Sequence, residues 1–202
     1  MRRAPNPWDR FYHAHQAPWR GERPLADLRP WLGGRVLELG CGNGKLLRPL
    51  QAAGIDAVGL DVSFNVLQRL GQGVLADAAA LPLSDGAFDT VLDVHCTGHL
   101  LEAGRAAAHR EQRRVLRPGG HVVIERLHPD DLRAAQGEAL EGGATRRLQD
   151  GRTTHMDDEA SLATALESAG FHVIHRVTHR RTQRLPSGPV VRASVRVVGV
   201  AD

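Results

Sequence analysis

The chain has almost no lysine, little cysteine and no long apolar run, and each shortage excludes something. Lys45 is the single lysine among 26 basic residues, so the basic character is carried by arginine. Two cysteines, Cys41 and Cys96, are too few for a disulfide framework. No apolar stretch approaches the ~18 residues of a membrane-spanning helix, and the opening Met1–Asp9 segment lacks the apolar region of a secretory signal. A cytoplasmic protein is the expectation. Aromatics make up only 4% of the 202 residues, and no acid occurs between residues 171 and 201. With 42% hydrophobic residues, a mean hydropathy of −0.30 and this length, one compact domain over 1–202 is expected.

Charge and aromatics are unevenly placed. Residues 1–31 hold six arginines against three acids, residues 32–170 are mildly acidic, and residues 171–201 carry six arginines. Five of the eight aromatics, Trp8, Phe11, Tyr12, Trp19 and Trp31, lie in the first 31 residues, an arm that either packs on the fold as a helix or closes over a ligand as a lid. Basic ends attract a polyanion, although arginines alternating on the solvent face of a late strand are an equally physical explanation.

Between residues 35 and 125 strands alternate with helices. Arg35–Gly40 is a short apolar run entering a glycine cluster, and Lys45–Ala53 reads as a helix stopped by Gly54. Further strands are expected at Asp56–Asp61, Gly73–Asp77, Phe88–Val94 and Gly120–Glu125, with helices over Ser63–Leu70 and Leu101–Leu116. This rhythm predicts an α/β, doubly wound, mostly parallel sheet. Residues 128–155 are polar and glycine-bearing, too long for a connector, and are expected to form a substrate-side insertion. A helix from Asp157 or Asp158 to Ala169 is stopped by Gly170. Phe171–Val177 and Val190–Val198 then flank the Leu185–Pro189 turn as an antiparallel hairpin.

Chemistry concentrates at the predicted carboxyl ends of the strands. Gly40, Gly42 and Gly44 follow the first strand in a G-x-G-x-G spacing, where missing side chains let the backbone pass close to a ligand. Glu38 precedes them, repelling a pyrophosphate and attracting a cationic amine or sulfonium. Asp61 ends the second strand, where a carboxylate can accept both hydroxyls of a ribose. Asp77 and Ala78 end the third, offering an acceptor and an amide to an adenine edge. Each acid alone can instead cap the next helix or turn.

Together with Phe88-Asp89, Asp93 and Arg114–Gly120, these motifs resemble the class I S-adenosylmethionine-dependent methyltransferases. The resemblance implies a Rossmann-like sheet of seven strands with a reversed last strand, and S-adenosylmethionine as cofactor. It implies that Glu38, Leu39, Gly40, Cys41, Gly42 and Gly44 hold the methionine part, Asp61 and Val62 the ribose, and Asp77 and Ala78 the adenine. Asp93, Val94 and His95 would flank the methyl-transfer site, with Asp93 and His95 as the catalytic candidates. Transfer is a direct displacement onto an acceptor nitrogen or oxygen, so no covalent nucleophile and no metal are needed. Cys41 and Cys96 are assigned to packing. His99 and His128 are weaker candidates, and Glu125 and Arg126 are expected to face the same pocket.

The Trp8–His15 and Pro18–Arg23 segments, with Gln149–Met156, are more weakly similar to the tRNA 3-methylcytidine methyltransferases. An RNA base is therefore one expected acceptor, with Arg20, Arg23, Arg146, Arg147 and Arg152 on phosphate and Trp19 stacking on a base. A small-molecule acceptor is the alternative, and a cofactor-binding partner subunit without catalysis is a third. Neither a membrane nor a particular protein partner is indicated.

Overall fold

The computed structural model describes residues 6–16, 18–186 and 188–202. Residues 1–5 of the arm, Ala17, and Ser187 in the Leu185–Pro189 turn lie outside it. Five parallel strands form the centre: β1 (Val36–Leu39), β2 (Ala57–Asp61), β3 (Val74–Leu75), β4 (Phe88–Val94) and β5 (Leu116–Leu127). Three short strands follow, β6 (Glu138–Leu140), β7 (Thr145–Arg147) and β8 (Thr153–His155), and then the long hairpin β9 (Phe171–Leu185) and β10 (Gly188–Ala201). The main sheet runs β3-β2-β1-β4-β5-β10-β9, and β10 alone is reversed. The expected fold class is present. The insertion is a separate antiparallel sheet, β6-β7-β8.

All four residues of β1 are buried, as a central parallel strand covered on both faces requires. One of the four is Glu38, a charge with no hydrophobic reason to be there. Helices α2 (Leu47–Ala52) and α3 (Phe64–Leu70) cover one face, with the arm helix α1 (Pro7–Ala14); α4 (Glu102–Val115) and α5 (Glu159–Ser168) cover the other. Their ends follow the sequence: the Ser63 hydroxyl caps α3, which Gly71 stops at φ 77°, and Asp158 with Ser161 makes a capping box on α5. The third strand is shorter than Gly73–Asp77 because Asp77 leaves it for a turn in which its Oδ1 accepts the Ala79 amide at 3.0 Å.

Strand alternation decides which face each chemical residue meets. Val36, Leu92 and Val123 belong to the α2/α3 core, whereas Leu37, Leu39, Leu60, Val91 and Ile124 belong to the α4/α5 core. Glu38, Asp61 and Glu125 therefore point to the arm face. Asp93 and Arg126 point the other way.

Candidate functional site

The site lies along the carboxyl ends of β2, β1, β4 and β5. Gly40, Gly42 and Gly44 all have positive φ, at 66°, 51° and 82°. A Cβ on Gly42 would sit 2.7 Å from the Tyr12 hydroxyl, and one on Gly40 2.7 Å from the Cys96 sulfur. The loop is thus pressed from below by Cys96 and from above by the arm. Asp61 locks its geometry: one carboxylate oxygen accepts the Gly42 amide and the other the Ser63 amide, each at 2.9 Å. Burial pushes the Asp61 carboxyl up against these bonds.

Glu38 is in a different state. It is buried, and its Oε2 has no hydrogen-bond partner. Burial, with the nearby Asp61 charge adding to it, pushes its carboxyl up to about 8. A buried acceptor without a donor is costly and needs a reason. An ammonium or sulfonium delivered along the glycine loop supplies one, so the residues present fit the cationic portion of S-adenosylmethionine.

The arm crosses this edge from end to end. Asn6 donates to the Val62 carbonyl at 3.1 Å, and Asp9 accepts from the Ser63 hydroxyl at 2.7 Å. Tyr12, the chain's single tyrosine, is buried over Gly42 and receives the Trp19 indole N–H at 3.3 Å. Burial, reinforced by the Asp61 charge, pushes its phenol up. Asn43 donates to the Trp19 carbonyl, and Arg23 then forks onto Glu125 with bonds of 2.8 and 2.7 Å. Arg196 shares Glu125 and ties it to Asp27. The arm aromatics, Tyr12 among them, are legible in the sequence as a packed or closing segment, but the pairing of Arg23 with Glu125 is not.

His95 stands just past β4 with φ 58°, the left-handed region that a non-glycine residue seldom adopts. The residue keeps solvent-exposed surface. The protein walls around it, helped by Arg133, Arg126 and Arg23, favour the neutral ring, and Glu125 opposes them. Val94 sits half-buried on the arm face. Asp93, expected beside His95, turns away instead. It is fully buried under α4 and accepts from the Cys96 and Thr97 amides, the Thr97 hydroxyl, Gln112 and Arg126. Burial alone would raise its carboxyl, but Arg126 and Thr97 outweigh it and hold it at about 2. Five donors on two oxygens leave nothing for a ligand, so Asp93 positions residues 96 and 97.

The other expected residues divide similarly. Leu39 sends its side chain into the α4/α5 core and has only its backbone at the edge. Ala78 is buried and Asp77 half-buried with one oxygen uncommitted. Glu125 faces the cleft side, but Arg126 pairs beneath the sheet with Asp93, which separates two neighbours expected in one pocket. Burial raises both thiols, as packing cysteines require. The His99 Nδ1 faces the Thr153 carbonyl, and the His128 Nδ1 accepts the Asp130 amide at 3.1 Å. Among the described residues no three metal-ligating side chains are grouped to hold an ion. No helix among them is long and apolar enough to cross a membrane.

The arginines assigned to phosphate are largely committed within the protein. Arg23 holds Glu125, Arg146 donates to the Ala134 carbonyl at 2.9 Å, and Arg147 reaches Glu138 at 3.3 Å. Arg152 bonds Asp150 at 2.7 Å and lies over the rings of Phe11 and Trp8, 3.8 and 4.8 Å from their centroids. It joins the arm to the small sheet.

Residues 12–176 match the family described as "Methyltransferase domain". The malonyl-[acyl-carrier protein] O-methyltransferase of Erwinia pyrifoliae is 31% identical over 173 residues, which cover 80% of this chain and 64% of that relative. The chain thus spans less than two thirds of its length. The CcbJ methyltransferase of Streptomyces caelestis has a similar structure, with a TM-score of 0.72 at 22% identity over 96% of this chain and 97% of that one. So has the 1,6-didemethyltoxoflavin-N1-methyltransferase of Burkholderia thailandensis, solved with its substrate and S-adenosylhomocysteine, with a TM-score of 0.70 at 22% identity, covering 96% of this chain and 86% of that one. With a family match over most of the chain, the reversed strand order and a glycine loop set between Glu38 and Asp61, the chain belongs to the class I S-adenosylmethionine-dependent methyltransferases.

Proposed function

We propose that the chain transfers a methyl group to a nitrogen or oxygen of an RNA base presented at the arm face of β1 and β4. When bound, S-adenosylmethionine supplies a methyl on an already activated sulfonium, so the protein's task is alignment and exclusion of water. Glu38 holds the cationic end, the Gly40–Gly44 backbone and Leu39, Cys41 and Val94 shape the cradle, Asp61 and Val62 take the ribose, and Asp77 and Ala78 the adenine. The arm is the lid: Tyr12 and Trp19 close over the glycine loop while Arg23 pins the far end to Glu125. His95, neutral and projecting from a strained turn, orients the acceptor and accepts its proton where one is lost.

The observation behind the RNA reading is the β9–β10 ribbon. β5 ends at Leu127 opposite Ser194, so residues 188–193 of β10, paired with 180–185 of β9, overhang the sheet at the same end as the site. Within this overhang Arg181 and Arg184 are exposed and pair with no carboxylate among the described residues; Arg176, opposite Val197, is equally unpaired but lies back along the sheet. Arg181 also stands directly opposite Arg192, whose own charge is taken up by Asp131 at 3.2 Å. The three unpaired arginines replace Arg23, Arg146 and Arg152 as the phosphate contacts of the reading.

RNA binding by the wild type is expected to weaken steeply with salt. Replacing the three free arginines by alanine is expected to reduce the slope of log affinity against log salt by about 2 to 3. No binding of transfer RNA at low salt would reject the RNA acceptor. A small-molecule acceptor is then favoured by the arm-covered cleft and by the Burkholderia relative's bound substrate. Mass spectrometry of nucleosides from cells with and without the protein identifies the methylated base directly.

A further inference from the structure

Beneath the sheet a chain of buried charges runs from the end of β4 to the small sheet, and one link in it is unmade. Arg126 is among the largest fully buried side chains. Its Nη1 donates to Asp93 at 3.2 Å and its Nη2 to the Thr97 hydroxyl, while Asp93 holds the Cys96 and Thr97 amides. These bonds anchor the turn whose first residue, His95, has the left-handed backbone. Gly98 passes so close that a Cβ there would lie 3.0 Å from the Arg126 Cδ.

At the other end, Asp157 joins β8 to α5. Its amide donates to the Leu127 carbonyl at 3.0 Å, and its Oδ1 meets the Ser161 hydroxyl at 3.2 Å and the His155 ring at 3.3 Å. His155 in turn faces the Thr145 hydroxyl of β7 at 2.8 Å. Asp157 thus ties the small sheet to β5 and α5, beside the direct bonds between Thr153 of β8 and His99. The Arg126 Nε is buried with no hydrogen-bond partner, and Asp157 Oδ2 stands 3.7 Å away, too far for a bond and near enough for a small advance to make one.

We infer that Arg126 and Asp157 couple the small sheet to the methyl-transfer edge, so that an inward movement of β7–β8 completes the Nε–Oδ2 bond and fixes the His95 turn. Asp157 is then a positioning residue acting through Arg126, Asp93 and Thr97. The inference rests on the reading of His95 as the acceptor-facing residue.

Hydrogen exchange with and without S-adenosylhomocysteine tests it, in the wild type, Asp157→Asn and Asp157→Glu. In the wild type the ligand is expected to slow exchange in both 93–99 and 145–157, the second segment by about tenfold. Asp157→Asn is expected to keep the calorimetric affinity, to lose the ligand-induced protection of 145–157 and to weaken that of 93–99. Asp157→Glu, whose carboxylate reaches farther, is expected to restore both. Equal protection of 145–157 in the asparagine variant, or none in the wild type, would overturn the coupling. Failure of the wild type to bind S-adenosylhomocysteine at all would overturn the cofactor edge first, and the coupling with it.

Discussion

The ends of β1 and β4 lie side by side, with Leu39 opposite Asp93, and each strand carries a buried carboxylate, but the two groups are in opposite states. Asp93 faces the α4/α5 side, is saturated by five donors and is held at about 2. Glu38 faces the arm, has one oxygen with no donor and is pushed up to about 8. Both are central-strand acids before a turn, so burial does not separate them; the partners do. A carboxylate that the protein satisfies is structural, and one that it leaves short of a donor is open to a ligand.

That contrast is most easily broken by removing each acid. Asp93→Ala leaves the buried Arg126 charge with only the more distant Asp157 carboxylate, and is expected to cost about 3 kcal/mol, lowering the melting temperature by roughly 10 °C at ~2 to 4 °C per kcal/mol. A change of a degree or two in thermal unfolding would show that the network is dispensable. Because the folded carboxyl is depressed, this stability is present above the ordinary carboxylate range and is lost as pH falls toward about 2.

Glu38→Gln is expected to behave in the opposite way. Affinity for S-adenosylhomocysteine, measured by calorimetry, should fall by roughly tenfold or more with the loss of a charged partner for its amine, whereas the ligand-free protein melts no lower than the wild type at pH 8. A variant that binds normally would remove Glu38 from the cofactor site.

The same acid predicts a pH dependence. With its carboxyl raised to about 8, Glu38 is largely protonated at pH 7 without ligand, and a bound cation favours the ionised form. Binding therefore releases a proton, so affinity should rise between pH 6 and 8, flatten above 8, and lose this slope in Glu38→Gln. Ligand-free stability should fall over the rise from the ordinary glutamate range to about 8, since the folded state holds the proton more tightly.

Asp61 lies between the two extremes, since both its oxygens already accept amides yet each keeps a free lone pair on the arm face. Asp61→Asn retains one acceptor oxygen and should weaken S-adenosylhomocysteine binding only several-fold. No weakening would exclude the ribose assignment.

The main sheet was legible because its signals are local. Apolar runs of strand length, glycines at the turns and capping residues such as Ser63 and Asp158 need no knowledge of the tertiary structure. The glycine loop and its flanking acids were legible for the same reason, since Glu38 to Asp61 is a single βαβ unit. Asp93 and Arg126 were misplaced because a motif gives a residue's position along a strand but not the face to which it points, and one step along a strand reverses that face. The arginines at 146 and 152 were misread for a related reason. Net charge is visible in a sequence, but whether a guanidinium meets water, a carbonyl or an aromatic ring depends on elements far apart in the chain.

Sequence alone therefore determined the strand–helix alternation, the reversed hairpin and a glycine turn flanked by acids, all consequences of short-range backbone and charge chemistry. Only the tertiary structure decided which carboxylate is left wanting a donor, which arginines remain free, and that Tyr12, Trp19 and Arg23 lie across the edge. Those outcomes depend on which groups meet across long loops, and burial turns each meeting into either a satisfied bond or an unmet one.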